Sequence, residues 1–376
     1  SALKKEIFVK NSDYVVYEQQ NAIYDNYKTR YNITKEKFDE LHKFSLKEND
    51  FIMSGAGTIG RISRVPKGIK KGVFNQALIR FRINNELTNP EYFLQFVRAE
   101  NMQRKLTGAN PGSAISNLVP MSEVKKWEVF VPIKAEQKKL GSFFEQLDDT
   151  IALHQRMSDK QKKLKANLLQ MMFPRNGEKI PEVRLAGFAE DWAQRTLEDI
   201  SDKVTEKNKA REFTETLTNS AEYGIISQSD FFDKDISNIN NIDGYYVVRP
   251  DDFVYNPRIS NFAPVGPIKR NNLNRIGIMS PLYYVFRPKG VDHTFLEKYF
   301  ETSYWHIFMK MNGDSGARAD RFAIKDTILK EMPIPYPIKE EQVKIGIFFN
   351  QLDKSIVLHQ EKIAHLKVLK STLLNK

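Results

Sequence analysis

Several stretches of this chain carry residue types at spacings that could do chemistry, and most fail on their surroundings. Gly55-Ala56-Gly57-Thr58-Ile59-Gly60 follows a strand-like run and matches the glycine fingerprint of dinucleotide sites. That reading needs a helix next, whose N-terminus meets the pyrophosphate. The next residues are RISRVPKGIKKG, with Pro66, Gly68 and Gly72, which predict a basic-flanked turn. Arg61-Ile62 also stands where a phosphate-cradling loop needs Lys followed by Ser or Thr. Gly313-Asp314-Ser315-Gly316 imitates the loop around a nucleophilic serine. Such a serine needs a histidine base held by a carboxylate, and neither His293 nor His306 sits in a supporting motif. Asn89-Pro90-Glu91, Asn110-Pro111-Gly112 and Asn256-Pro257-Arg258 lack the second proline of the Asn-Pro-Pro-aromatic motif of adenine methyltransferases. Glu123-Val124-Lys125 is a fragment of a nuclease core without the rest. His154 and His359 invite a metal reading, but no cluster of His and carboxylates surrounds either in sequence.

Base-reading chemistry remains. Arginine reaches guanine O6 and N7 with two hydrogen bonds, and Asn and Gln do the same for adenine N6 and N7. The Gly/Pro loops are rich in these side chains: Arg61, Arg64 and Gln76; Asn110, Ser113, Ser116 and Asn117; Arg258, Asn261, Lys269 and Arg270; Arg318 and Arg321. Taken singly, each is a solvated or phosphate-contacting residue; as a set they make candidate DNA contacts. Phosphate contacts would supply most of the affinity, and a few base contacts the specificity.

The elements that must position these loops come in duplicate. Residues 132–155 (PIKAEQKKLGSFFEQLDDTIALHQ) recur as residues 337–360 (PIKEEQVKIGIFFNQLDKSIVLHQ), identical at sixteen of twenty-four positions. Leu140, Leu147, His154, Gln161 and Leu168 fall seven apart, as do Ile345, Leu352, His359, Leu366 and Leu373. A heptad seam of this length predicts a coiled coil, and the simplest partner for each helix is the other. Such helices would be about 55 Å long, a spacer between two globular blocks, with the two histidines as polar register-setting residues. Phe143, Phe348 and Met172 lie beside the seam and predict apolar surface left for partners.

The globular blocks repeat more faintly. The loops GANPGSAISNL and GDSGARADRF open at Gly108 and Gly313, and each leads to a Pro-bounded β-like run, EVFVPI or MPIPYPI. Leu78–Ile83 reads as a strand and Pro90–Leu106 as a helix. The expected division is 1–131 (first mixed domain), 132–173 (helix), 174–183 (Pro/Gly linker), 184–336 (second mixed domain) and 337–376 (helix). The second block opens with GFAEDWAQRTLEDI (Gly187–Ile200), and the first has no equivalent. The first domain therefore reads as N-terminally short by about twenty residues.

The chain has 376 residues, room for two domains of ordinary size. Cysteine is absent, which excludes disulfides and thiolate sites. No apolar run approaches the ~20 residues of a spanning helix, and neither a signal peptide nor a membrane partner is expected, so the reading is cytoplasmic. Net charge is +11 with a pI of about 9.4, and basic residues spread along the chain, which favours an anionic partner, nucleic acid first.

The repeated P-I-K-x-E-Q-x-K-x-G-x-F-F-x-Q-L-D at 132–148 and 337–353, the G-F-x-x-x-W at Gly187–Trp192, and the order domain–helix–domain–helix resemble the specificity subunit of a type I restriction–modification enzyme. The resemblance covers essentially the whole chain. It implies an α/β (α+β) fold with two target-recognition domains in tandem, separated by two long helices forming an antiparallel coiled coil. It implies a non-catalytic subunit whose domains each read one half of a bipartite site on double-stranded DNA. Two methyltransferase (modification) subunits would dock on the helices, bind S-adenosylmethionine and methylate adenine. Restriction subunits would add translocation and cleavage driven by ATP and Mg, so no cofactor is expected in this chain. The alternatives are a stand-alone DNA-binding regulator and a fused methyltransferase or nuclease; the missing Asn-Pro-Pro-aromatic and phosphate-loop motifs count against the latter.

Overall fold

Each copy of the Pro-Ile-Lys motif starts a long helix, Lys134–Met171 in the first copy and Lys339–Leu374 in the second. The computed structural model describes residue 3 and residues 5–108, 118–231, 239–314 and 320–375. Asn110, Ser113, Ser116, Asn117 and Arg318 lie outside the described residues. The chain divides into two compact units, Ser1–Arg156 with His359–Lys376, and Met157–Leu358. Both long helices are therefore shared, one part in each unit.

Within each unit the helix segments run antiparallel. In unit 1, Lys370 Nζ donates to Asp148 Oδ2 at 2.7 Å, and His154 Nδ1 lies 2.9 Å from His359 Nδ1. One imidazole must donate and the other accept at that distance, so the pair fixes a single register. In unit 2, Gln161 Nε2 donates to Ser355 Oγ at 2.8 Å, and Lys165 Nζ pairs with Asp353 Oδ1 at 2.6 Å. Lys165 and Lys370 are 205 positions apart, and so are Asp148 and Asp353. The same ion pair is thus made once in each unit.

Unit 1 holds β1 (Tyr14–Tyr17), β2 (Tyr31–Ile33), β3 (Phe51–Ser54), β4 (Ile62–Arg64), β5 (Gly72–Phe74) and β6 (Leu78–Phe81). They form two sheets, β2-β1-β5, in which β1 and β5 are parallel, and the antiparallel β4-β3-β6. Residues 90–106 are helical as their pattern predicts, but in two pieces, Pro90–Arg98 and Glu100–Thr107. Ala99 between them is extended, and its carbonyl accepts from Gln103 N, so it caps the second piece instead of continuing the first.

Unit 2 repeats this plan in β7 (Ala193–Thr196), β8 (Ser201–Lys203), β9 (Leu217–Ser220), β10 (Gly224–Ser227), β11 (Tyr246–Val248), β12 (Phe253–Tyr255), β13 (Ile268–Arg270), β14 (Gly277–Met279), β15 (Tyr284–Pro288) and β16 (Pro333–Tyr336). The sheet β13-β12-β15-β8 corresponds to β4-β3-β6 with one strand added, and β16 pairs with β7. The match extends to single bonds. Asp50, before β3, is 2% exposed and takes Arg82 Nε and Nη2 at 2.6 and 2.7 Å. Asp252, before β12, is fully buried and takes Arg287 at 2.7 and 2.9 Å. Each carboxylate also accepts a backbone N–H three residues upstream, from Lys47 or Arg249. A buried carboxylate is tolerated only when it is paired and hydrogen-bonded in this way.

The repeated motif is the joint between long helix and domain. Gln137 Oε1 accepts from Asn89 N at 2.9 Å and Gln137 Nε2 donates to Pro132 O. Gln342 does the same with Asp292 N at 2.8 Å and Pro337 O. Asn89 and Asp292 cap the helices Pro90–Arg98 and His293–Glu301. The motif glycine lets the two helices approach: a Cβ at Gly141 would lie 2.7 Å from Tyr92 N, and one at Gly346 would lie 3.1 Å from Asp292 Oδ1. Phe144 and Phe349 are buried beside them. The core of unit 2 gathers Phe173, Trp192, Phe295, Tyr299 and Phe349. Met172 is 3% exposed in this core, which corrects its expected place on a partner surface: it follows the long helix and packs inward. Phe348 is partly buried against the same core, whereas Phe143 is 46% exposed.

Lys298 Nζ meets Asp353 at 2.7 Å and Glu301 at 2.6 Å, and Lys165 meets the same two carboxylates. Burial pushes the Asp353 carboxyl up, but the hydrogen bonds from Lys165 and Lys298 outweigh it and hold it below its ordinary 3.8. A depressed carboxyl stabilises the fold above its unfolded value and loses that contribution as pH falls through the folded one. Unit 2 should therefore lose stability as pH drops below 3.8. Asp353→Asn should flatten that acid limb and cost about 1 kcal/mol at neutral pH, a figure discounted for partial exposure. Urea midpoints of both proteins across the acid range check this.

Candidate nucleic-acid interface

The site in unit 2 is built on the loop between β12 and β13. Asn256 is 8% exposed; its Oδ1 accepts from Arg258 N at 2.9 Å and its Nδ2 donates to Asn219 O at 2.8 Å. Asn219 Nδ2 in turn donates to Val254 O at 2.7 Å. Gly266 has φ +83° and its α-carbon faces the Asn256 carbonyl so closely that no side chain fits there. At the far end, Ser260 and Ala263 exchange both backbone hydrogen bonds at 3.1 Å, a two-residue turn with Asn261 and Phe262 at its tip.

A second segment braces the first. Phe322 N donates to Pro257 O at 2.8 Å, Ile259 N donates to Asp320 O at 3.0 Å, and Arg258 and Arg321 lie opposite each other in an antiparallel bridge. Arg258, Asn261 and Arg321 are thereby brought onto two mutually bonded loops. The Arg258 side chain is 71% exposed, with Asp320 at 3.9 Å as its partner. Such an arginine has donors left to give, on a backbone that does not need to rearrange. Phe262, also at the tip, is 78% exposed and was not among the expected contacts. Its signal is an aromatic side chain at the centre of the Gly/Pro-bounded NPRISNFAPVG loop. A cleft of about 720 Å³ adjoins these loops, lined by Tyr246, Tyr255, Tyr284, Asp314 and Phe322.

Other expected contacts turn out to be framework. Arg270, with its side chain 17% exposed, reaches Asp251, Thr294 and Glu297, so its guanidinium is committed inside the unit. Lys269 is half-buried on β13. In unit 1, Arg64 gives Nε and Nη2 to Asn49 Oδ1 at 3.0 and 2.6 Å and is likewise committed. Arg61 and Gln76 are exposed, on turns that Gly55 N ties together by donating to Ala77 O at 2.8 Å. The glycine-rich stretch 55–60 closes a turn between β3 and β4, with Gly57 and Gly60 at positive φ. The strand Ile62–Arg64 comes next, where the sequence predicts a turn, so the glycine stretch does not lead directly into a helix.

Among the described residues no three metal-ligating side chains come together, and no helix is long and apolar enough to cross a membrane. Burial and the neighbouring Lys310 lower His306 to about 4, so it is neutral at pH 7.

Two segments, residues 1–163 and 189–368, match the type I restriction modification DNA specificity domain. The chain belongs to that family, with the domain present twice in tandem, and its function is that of a specificity subunit that recognises DNA sequence. Among solved structures it is similar to the S subunit of a type I restriction-modification system from M. genitalium, at 14% identity and a TM-score of 0.54, covering 99% of this chain and 90% of that one. It is also similar to a chain from a study of complex assembly and conformational transition in a type I system, at 18% identity and a TM-score of 0.50, covering 88% and 82%. These two likenesses establish a shared fold. No curated protein sequence matches the chain.

Arg258→Ala should leave stability within about 0.5 kcal/mol of the parent, whereas Arg270→Ala should cost about 2 kcal/mol by removing charge-assisted bonds. Urea denaturation of the two variants separates the exposed arginine from the framework one.

Proposed function

We propose that Arg258, Asn261 and Arg321 read bases in one half of a bipartite site, and that Arg61 and Gln76 serve the other half from unit 1. The observation that carries this is the pair of mutually bonded loops, which hold the exposed Arg258 and Asn261 beside the half-buried Arg321 on a hydrogen-bonded backbone. A backbone already ordered in the free protein loses little further entropy on binding, so such contacts discriminate well. The +11 charge supports a large phosphate contribution that weakens with salt.

In this reading the chain performs no catalysis. Two modification subunits bring S-adenosylmethionine and methylate adenine, restriction subunits bring ATP- and Mg-dependent cleavage, and the complex works in the cytoplasm. Exposed Phe143 belongs to the surface offered to the modification subunits.

Incubating the chain with its co-encoded modification subunit, S-adenosylmethionine and a random DNA library should yield methylated adenines in a split motif with a fixed gap. Sequence-independent methylation, or none despite binding by the chain alone, would leave a stand-alone regulator as the better reading. In the same assay Arg258→Ala or Arg321→Ala should relax preference at one half-site by about 1–3 kcal/mol for each base-edge interaction removed. Equal weakening on every DNA sequence would make these residues phosphate contacts.

A further inference from the structure

The two units carry the same module, so each is a control for the other. In unit 2, β16 is covered by β7, with Pro333 opposite Thr196 and Tyr336 opposite Ala193, and Ile334 at its centre is 0% exposed. The register-equivalent run in unit 1 is Glu128–Val131, 205 positions earlier. It pairs with no strand among the described residues; Val129, the counterpart of Ile334, is 45% exposed, and Phe130 is wholly exposed. This is why EVFVPI, read from sequence as β-like, does not form a paired strand while MPIPYPI does.

A second edge is open in the same unit. β15 is covered by β8, with Phe286 opposite Lys203, and Phe286 is 0% exposed. Its counterpart β6 is the last strand of its sheet, and Phe81 is half-buried. In unit 2 one short stretch closes both edges, because β7 and β8 are consecutive and separated by residues 197–200. Trp192 leads that stretch inward, its ring 6.2 Å from Phe173 and 5.9 Å from Phe295. At the equivalent of Phe295 and Tyr299, unit 1 has Tyr92 and Phe96, half-buried and stacked on each other at 5.9 Å.

We infer that Glu128–Val131 and β6 together form a docking site for one extended polypeptide segment with the chemistry of residues 187–203. Such a segment has a Gly-Phe-x-x-x-Trp lead, then two short strands joined by four residues. Unpaired strand edges recruit strands through backbone hydrogen bonds, and alternate apolar side chains then select which strand is taken. Here Val129 and the Tyr92–Phe96 face are the selecting apolar surface. The inference concerns these two strand edges and does not depend on which residues read bases.

The test uses the full chain and a fluorescein-labelled peptide of the sequence from Ala186 to Lys203. Anisotropy should report one-to-one binding, and hydrogen exchange should show new amide protection at Glu128–Val131 and at β6. Trp192→Ala in the peptide, or Val129→Arg in the exposed edge of the chain, should each weaken binding at least about tenfold. No new protection at these edges with millimolar peptide overturns the inference. So does protection confined to unit 2, which would mean exchange with the segment already there. Concentration-dependent protection of the same amides without peptide would assign the edge to a second copy and equally overturns it.

Discussion

The helices and domains of this protein are joined through hydrogen bonds that end two short helices. Gln137 and Gln342 each accept the N–H of a capping residue, Asn89 or Asp292, whose own side chain closes the first turn of the domain helix. The same glutamine holds the carbonyl of the proline that begins the long helix. A side-chain amide has one acceptor and two donors, so it can bind both chain ends at once, whereas a carboxylate of the same length could not donate. Gly141 and Gly346 then permit the close approach that brings these groups into reach. The orientation of each domain on its helix is set here, and every loop beyond inherits it.

From that joint outward, order is passed along by buried polar groups. Asp50 and Asp252 fix the strand that precedes each presenting loop, and Asn256 and Asn219 fix the loop itself. The loop in unit 2 is therefore hydrogen-bonded from its base at Asn256 to the Ser260–Ala263 turn at its tip. This arrangement suits recognition, since the Arg258 and Asn261 side chains take no part in the bonds that hold the backbone. It also explains why so few of the basic residues qualify as readers. Arg64, Arg82, Arg270 and Arg287 give their guanidinium donors to groups within their own unit, whereas Arg258 keeps donors free at the loop.

The architecture was largely legible because it is written twice. A repeat of sixteen identities and a heptad seam leave little freedom, and both long helices form where the motif begins. The site was legible only as a class of side chain. Arg258 and Arg270 are both arginines near Gly/Pro loops, yet one faces solvent and the other is clamped by Asp251 and Glu297. The partners that decide this lie 19 and 27 positions away, on other elements, and local pattern does not report such pairings. Met172 was misplaced for a similar reason: heptad spacing puts it beside the seam, but the chain turns after Met171 and carries it into the core. A phenyl ring offers no hydrogen-bonding group, so the pattern of base-reading residue types does not mark Phe262.

The division into units has a consequence for biogenesis. Unit 2 is one continuous stretch, Met157–Leu358, while unit 1 is interrupted by it and resumes at His359. During synthesis from the N-terminus, unit 2 has all its residues before unit 1 has its last helix segment. Until then Asp148 lacks Lys370 and His154 lacks His359, so part of the first long helix has no seam to face. The nascent chain passes through a stage with one half closed and the other waiting, and the segment from His359 onward acts as a latch on residues made long before it.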